Sequence, residues 1–186
     1  MKRPHPIAAL IVGVLGATGI GTGTAYALGY RLNMTSSVPI GVYHIKTDGR
    51  FERGQIVALC PPDNAAIQLG RDRGYVLDGY ACPGGYRPLF KPVAAMAGDV
   101  VTVAAEGISI NGRLLPNTKA RAKDGEGRPL PVVARGSYPV LPGQVWVIST
   151  YNARSYDGRY FGAVPVKGVV GVAEPIATVS NYPGES

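Results

Sequence analysis

Apolar residues in this 186-residue chain fall into one long uncharged run followed by many short ones. The long run covers residues 7–28 and follows Lys2 and Arg3. Wound as a helix at about 1.5 Å per residue, it would extend roughly 33 Å, enough to cross a bilayer core. It reads as an export signal or a membrane anchor. Ala25, Tyr26 and Ala27 have the small-x-small form of a cleavage site, which leaves both forms open. Basic residues ahead of the run hold the amino terminus in the cytoplasm. Residues 1–30 are therefore expected to be a targeting segment, and residues 31–186 a single domain on the outer side of the membrane.

Past residue 30 the apolar runs shorten to strand length, rich in Val and Ile and bounded by Gly, Pro and Asn. They predict strands near Gly41 to Ile45, Gln55 to Leu59, Leu89 to Ala94, Val100 to Val103, Ile108 to Ile110, Val145 to Ser149 and Val169 to Ala173. Seven short, closely spaced strands predict a mainly β fold built on an antiparallel, partly barrel-like sheet. Glu106-Gly107 and Asn111-Gly112 are turn signals, which puts a hairpin within residues 99–116. Asp63 or Asn64 is the expected cap of one short helix reaching Leu69. Residues 117–131 lack apolar periodicity and read as an exposed loop. Its Lys119, Arg121, Lys123 and Arg128 either face solvent or dock phospholipid headgroups or an acidic partner.

Composition supports a folded body, since 46% of residues are apolar and 17% charged. The net charge of +7 suits a nucleic acid or an anionic membrane surface equally well. Export past a membrane removes nucleic acid as a partner. Cys60 and Cys82 both lie in the exported part, where oxidation is permitted, and a disulfide between them is expected. Closing such a loop contributes on the order of 3 kcal/mol in the chain-entropy model. A reactive thiol is the alternative. A tetrahedral zinc site falls short of ligands, and neither a metal nor a cofactor is expected.

Candidate chemistry starts from what the chain lacks. A serine hydrolase needs a base for its hydroxyl proton, and histidine is the usual choice. His5 precedes the apolar run and is out of reach of an exported site. His44 follows Ser37 by seven residues along a strand that rises about 3.3 Å per residue, too far for a hydrogen bond unless the strand turns back. It reads as a strand-face residue. Lysine can serve instead once burial lowers its pKa. An ordinary lysine is neutral in about one molecule in 2,500 at pH 7, a handicap of roughly 4.6 kcal/mol. Lys91 sits in the apolar stretch Pro88-Leu89-Phe90-Lys91-Pro92-Val93-Ala94-Ala95-Met96. On these residues alone, a snorkelling or edge-strand lysine stays open beside a catalytic one.

Three segments in order add a further signal. They are Asn33-Met34-Thr35-Ser36-Ser37-Val38-Pro39-Ile40-Gly41-Val42-Tyr43, the stretch from Lys91 to Val101, and Ser155-Tyr156-Asp157-Gly158-Arg159-Tyr160-Phe161-Gly162. Together they resemble the type I signal peptidase family, and more closely its branch of TraF-type conjugal transfer peptidases. The Asn-x-Thr-x-Ser-x-Pro-x-Gly-x-Tyr segment of that branch matches residues 33–43 at every fixed position. The resemblance runs from the apolar segment to about Ile176.

It implies that Ser37 is the nucleophile and Lys91 its base, with Asp157 the acidic residue that the branch requires. By the same resemblance, Ser155 orients the lysine amine, Arg159 braces Asp157, and the Thr35 hydroxyl joins the Ser37 amide in an oxyanion hole. Ser36 fits the serine-to-proline spacing too, although Ser37 alone leaves Thr35 in place. Two positions depart from the wider family. Pro92 stands where a basic residue commonly follows the lysine, which hints at an edge strand or a bulge, and Gly158 replaces a serine. Gly98-Asp99 reads as turn chemistry, and Tyr151, Tyr156 and Tyr160 as groove lining or core.

The implied substrate is a pilin precursor, cut through an acyl-enzyme and open to cyclisation, at the periplasmic face of the inner membrane beside other conjugation-apparatus proteins. A general signal peptidase, a non-catalytic component of the mating apparatus and a self-cleaving repressor are the alternatives.

Overall fold

A computed structural model describes residues 21–179. Most of the expected targeting run, residues 7–20, lies outside the described residues; residues 21–27 are helical. Among the described residues no helix is long and apolar enough to cross a membrane.

Eleven strands form the body. They are β1 (Tyr30–Asn33), β2 (Ile40–Lys46), β3 (Ile56–Leu59), β4 (Leu89–Met96), β5 (Val100–Val103), β6 (Ile108–Ile110), β7 (Arg113–Leu114), β8 (Gly136–Pro139), β9 (Gln144–Val147), β10 (Val164–Pro165) and β11 (Val169–Val179). Seven of them make one sheet in the order β1-β2-β11-β3-β4-β9-β10, and four make a second in the order β7-β6-β5-β8. Every pairing is antiparallel, so the mainly β expectation holds. All seven expected strands are present, β11 running well beyond Ala173. The four that sequence did not announce are two to four residues long, and β1, β7 and β8 are mostly exposed, so no apolar alternation marks them.

A short helix, α1 (Ala65–Asp72), is capped by Asn64, whose Oδ1 accepts from the Ile67 amide at 3.0 Å. That choice settles the cap between Asp63 and Asn64, because an Asn or Asp at this position satisfies one of the orphan donors of the first turn. A single further turn, α2 (Gly158–Phe161), carries part of the third motif. The disulfide joins Cys60, just after β3, to Cys82.

Three apolar clusters fill the interior. The largest packs Val57, Leu59, Ile67, Val93, Val147 and Phe161 beneath the seven-stranded sheet. A second, with Val101, Ile108 and Trp146, lies under the four-stranded sheet. The third packs Val38, Tyr43, Ala58, Phe90 and Ala173. Val38 follows Ser37 directly, so this last cluster pins the loop that carries the serine.

The charged loop at residues 117–131 is largely exposed, as expected, but it is not plainly solvated. Asp124, within the loop, keeps its carboxylate buried, accepting from Tyr75 Oη at 2.6 Å and pairing with Arg128 at 2.7 Å and Arg73 at 3.2 Å. Burial would raise the Asp124 carboxyl, but hydrogen bonds from Tyr75 and Arg128 overcome it and hold it well below the usual range. Arg128, half-buried, pairs with carboxylates of its own loop, Asp124 and Glu126.

Candidate active site

Each fixed residue of the first motif has a visible physical task. Asn33 ends β1 and is buried, its Nδ2 donating to the carbonyls of Thr35 (2.9 Å) and Pro39 (3.1 Å). Its Oδ1 accepts from the Thr35 amide at 3.1 Å and the Thr35 hydroxyl at 2.8 Å. Tyr43, fully buried on β2, donates from Oη to the Pro39 carbonyl at 2.6 Å. Gly41 takes φ +152°, and a Cβ there would lie 2.1 Å from the Ala177 carbonyl oxygen, so no larger residue fits against β11. The loop at residues 34–39 is in this way held rigid, with Ser37 buried at its centre.

Lys91 projects from β4, opposite Val57 of β3. Alternation along the strand puts it on the face of Val93, toward the main apolar cluster, while Phe90 faces the third cluster. β4 is central, flanked by β3 and β9, so Lys91 is not an edge lysine. Pro92 therefore sits in a central strand, and the irregularity it hinted at falls one residue on, between Val93 and Ala95 in the pairing with β9. Gly98-Asp99 makes the following turn, with Asp99 accepting from the Met96 amide and pairing with Arg53.

The Lys91 side chain is 4% exposed. Its Nζ donates to Ser37 Oγ and, at 3.1 Å, to Ser155 Oγ. The two hydroxyls meet in turn, Ser155 Oγ donating to Ser37 Oγ at 3.1 Å. Among the described residues no carboxylate lies within ion-pairing distance of Lys91. Burial lowers its pKa from 10.5 to about 8; the Asp157 charge opposes that fall and the Arg159 charge adds to it. Desolvation dominates because an ammonium without a contact ion has nothing to replace its lost hydration.

Asp157 and Arg159 are both fully buried and form a two-point ion pair, Nε to Oδ1 at 2.8 Å and Nη2 to Oδ2 at 2.8 Å. The pair is an internal strut. The remaining guanidinium protons reach the carbonyls of Asn117, Ala153 and Ser155 at 3.0 to 3.2 Å. Arg159 thereby fixes the backbone of Ser155, and Asp157 caps α2 through the Arg159 amide. Gly158 fits against β9, where a Cβ would lie 3.0 Å from the Val147 carbonyl oxygen.

Ser36 is engaged by another residue, its Oγ accepting from Asn152 Nδ2 at 2.8 Å. Thr35 is exposed beside the loop with its hydroxyl turned to Asn33. His44 lies on β2 with its ring on Tyr30 and Nε2 3.0 Å from the Leu28 carbonyl oxygen. Tyr156 and Tyr160 stack at 5.0 Å within the core, and burial pushes the Tyr156 phenol up to about 12.

Two polar residues that sequence reading did not single out touch the serine loop. They are Ser149, whose Oγ donates to the Ser37 carbonyl at 2.6 Å, and Asn152. The signal available for Ser149 is a hydroxyl closing an otherwise apolar run, Val145 to Ile148. Ser37, Lys91 and Ser155 open onto a groove of about 2,200 Å³ that also reaches Leu32, Met34 and Phe90.

Comparisons with known proteins agree with the motifs. The family model described as signal peptidase, peptidase S26, matches residues 7–177. A plasmid transfer protein TraF of Escherichia coli is 37% identical over 163 residues, covering 88% of this chain and 91% of the relative. A conjugal transfer protein TraF of Agrobacterium tumefaciens is 40% identical over 158 residues, covering 84% and 87%. A probable conjugal transfer protein TraF of Sinorhizobium fredii is 37% identical over 173 residues, covering 91% and 89%. Among solved structures, a signal peptidase I of Enterococcus faecalis aligns with a TM-score of 0.38 at 20% identity, covering 69% of this chain and 97% of that one.

Proposed function

We propose that this chain, which belongs to the signal peptidase S26 family, is a Ser-Lys peptidase of a conjugation system that matures a pilin precursor. The observation that carries the chemistry is Lys91, buried, without a contact carboxylate among the described residues and hydrogen-bonded to Ser37 and Ser155. The neutral amine takes the Ser37 proton as Oγ attacks a peptide carbonyl. The resulting ammonium then protonates the departing amine. Ser155 holds Nζ in line, while Arg159 and Asp157 hold Ser155.

The tetrahedral oxyanion is met by the Ser37 amide and by the Thr35 hydroxyl, which must swing from Asn33 to reach it. Such a donor is typically worth about 3 kcal/mol. The acyl ester on Ser37 has two exits. Water yields a trimmed linear chain, and the substrate's own amino terminus yields a cyclic one, with the amine proton returning through Lys91 to Ser37 Oγ. The conjugal transfer names of the relatives support a dedicated substrate and an exported or membrane-associated setting. A membrane segment at residues 7–28 would bring the serine close to a bilayer surface, and the reading puts it at the periplasmic face of the inner membrane.

Mass spectrometry of a pilin precursor incubated with the wild type and with Ser37→Ala tests the reading. The expected product is smaller than the precursor, made only by the wild type, and lighter than the linear fragment by one water where cyclisation occurs. An unaltered precursor, or equal processing by Ser37→Ala, would refute it.

A further inference from the structure

The six residues between β1 and β2 that carry Ser37 lie outside the sheet, so no ladder of backbone hydrogen bonds fixes them. Asn33 and Tyr43 tie them to their own flanking strands. Besides the Ser155 hydroxyl on Ser37 Oγ, a pair of side chains from the segment after β9 ties them across the site. Asn152 reaches Ser36, and Ser149 reaches the carbonyl of Ser37 itself.

Ser149 is fully buried, and its hydroxyl and its amide are both engaged. Its hydroxyl proton goes to the Ser37 carbonyl at 2.6 Å, its Oγ accepts from the Asn152 amide at 3.2 Å, and its own amide donates to Asp157 Oδ2 at 2.9 Å. Asp157, for its part, spends its oxygens on Arg159 and Ser149. We infer that Ser149 is a positioning residue, through which the buried Asp157–Arg159 pair sets the backbone of the nucleophile.

The physical reason is local. Holding the Ser37 carbonyl fixes the torsion that follows its Cα, and with it the direction in which Oγ is presented to Lys91 Nζ. A reacting hydroxyl needs placement within about 0.5 Å, and a misplacement of 1 Å can lower a rate by about 100-fold. Asp157 thus acts on the site in two ways, through its charge on Lys91 and through the Ser149 hydroxyl on Ser37. The inference rests on the peptidase reading above.

The test is acylation of the full, oxidised chain by a nitrophenyl ester of a short peptide, followed by nitrophenolate release and by the mass adduct on Ser37. Ser149→Ala is expected to acylate about 10- to 100-fold more slowly at saturating ester. Its KM and the pH of its ascending limb should match the wild type, since Lys91 keeps its surroundings. Should Ser149→Ala not fold, Ser149→Cys, which keeps the volume and weakens the bond, is read in the same way. Acylation by the variant within about twofold of the wild type would overturn the inference alone. A displaced pH limb would also overturn it, because Ser149 would then act on the ionisation of Lys91 and not on geometry. A wild type that gives no Ser37 adduct would remove the peptidase reading and this inference together.

Discussion

Replacing Lys91 by Met should abolish catalysis and stabilise the protein, and the size and pH dependence of that gain follow from the burial of the amine. The lowering of the Lys91 pKa from 10.5 to about 8 corresponds to about 3 kcal/mol by which folding disfavours the ammonium. Below pH 8 both folded and unfolded chains carry the proton, and the full penalty applies. Between about pH 8 and 10.5 the folded chain has released it while the unfolded chain keeps it, so stability rises with pH. Above that window the penalty is gone. Met fills nearly the same space without the charge, and Ser37 and Ser155 retain each other as partners at 3.1 Å. Allowing for the lost amine hydrogen bonds at about 1 kcal/mol each, the gain at pH 7 is about 1–3 kcal/mol. For a chain of this size that raises Tm by about 2–4 °C per kcal/mol. Urea unfolding of both proteins at pH 7 and at pH 10 measures it. A gain at pH 7 that is much smaller at pH 10 is expected. Equal stability at pH 7, or a difference independent of pH, would mean that Lys91 keeps an ordinary pKa and that the desolvation reasoning fails.

Other outcomes follow from neighbouring features. Asp157→Asn leaves the Arg159 guanidinium fully buried without its carboxylate, and should destabilise the protein by about 3–5 kcal/mol in urea titrations; Asp157→Asn with Arg159→Met should recover part of this. Replacing Cys60 and Cys82 by Ser opens a loop whose ends are 22 residues apart, and should lower unfolding free energy by about 3 kcal/mol while reductant no longer shifts the transition. Asp124→Asn removes the charge and one of the two acceptor oxygens on which Tyr75, Arg73 and Arg128 converge, so limited proteolysis should cut within residues 117–131 faster than in the wild type. The wild type should show the same sensitivity in acid, because a carboxyl held below its usual pKa contributes stability that is lost as pH falls through that value.

Strand positions were legible wherever burial was one-sided or complete. Val100–Val103 and Ile108–Ile110 alternate or run apolar between turn residues, and both formed as expected. The short strands β7 and β10 exist because partners across the sheet accept them, a tertiary cause with no local trace. Lys91 in its apolar stretch was legible as an oddity, since no surface lysine needs such neighbours. What the stretch could not tell is that β4 is a central strand, and centrality is what separates a buried amine from a snorkelling one. The first motif showed where the loop lies but not why its residues recur. Asn33 and Tyr43 turned out to hold the loop's carbonyls, and Gly41 to clear the approach of β11. Ser149 and Asn152 stayed hidden because each contacts residues more than a hundred positions away. The pairing of Arg128 with Asp124 had no trace in the polar loop's composition.

The pH dependence of Ser37 acylation tests the central claim most directly, that neutral Lys91 takes the Ser37 proton. The rate of acyl-ester formation, followed from pH 5 to pH 10 with the adduct located on Ser37, should rise along a single limb with an apparent pKa near 8, and Lys91→Ala should form no adduct at any pH. A limb near 6.5, the value of an ordinary histidine, or an adduct that persists in Lys91→Ala, would contradict the account.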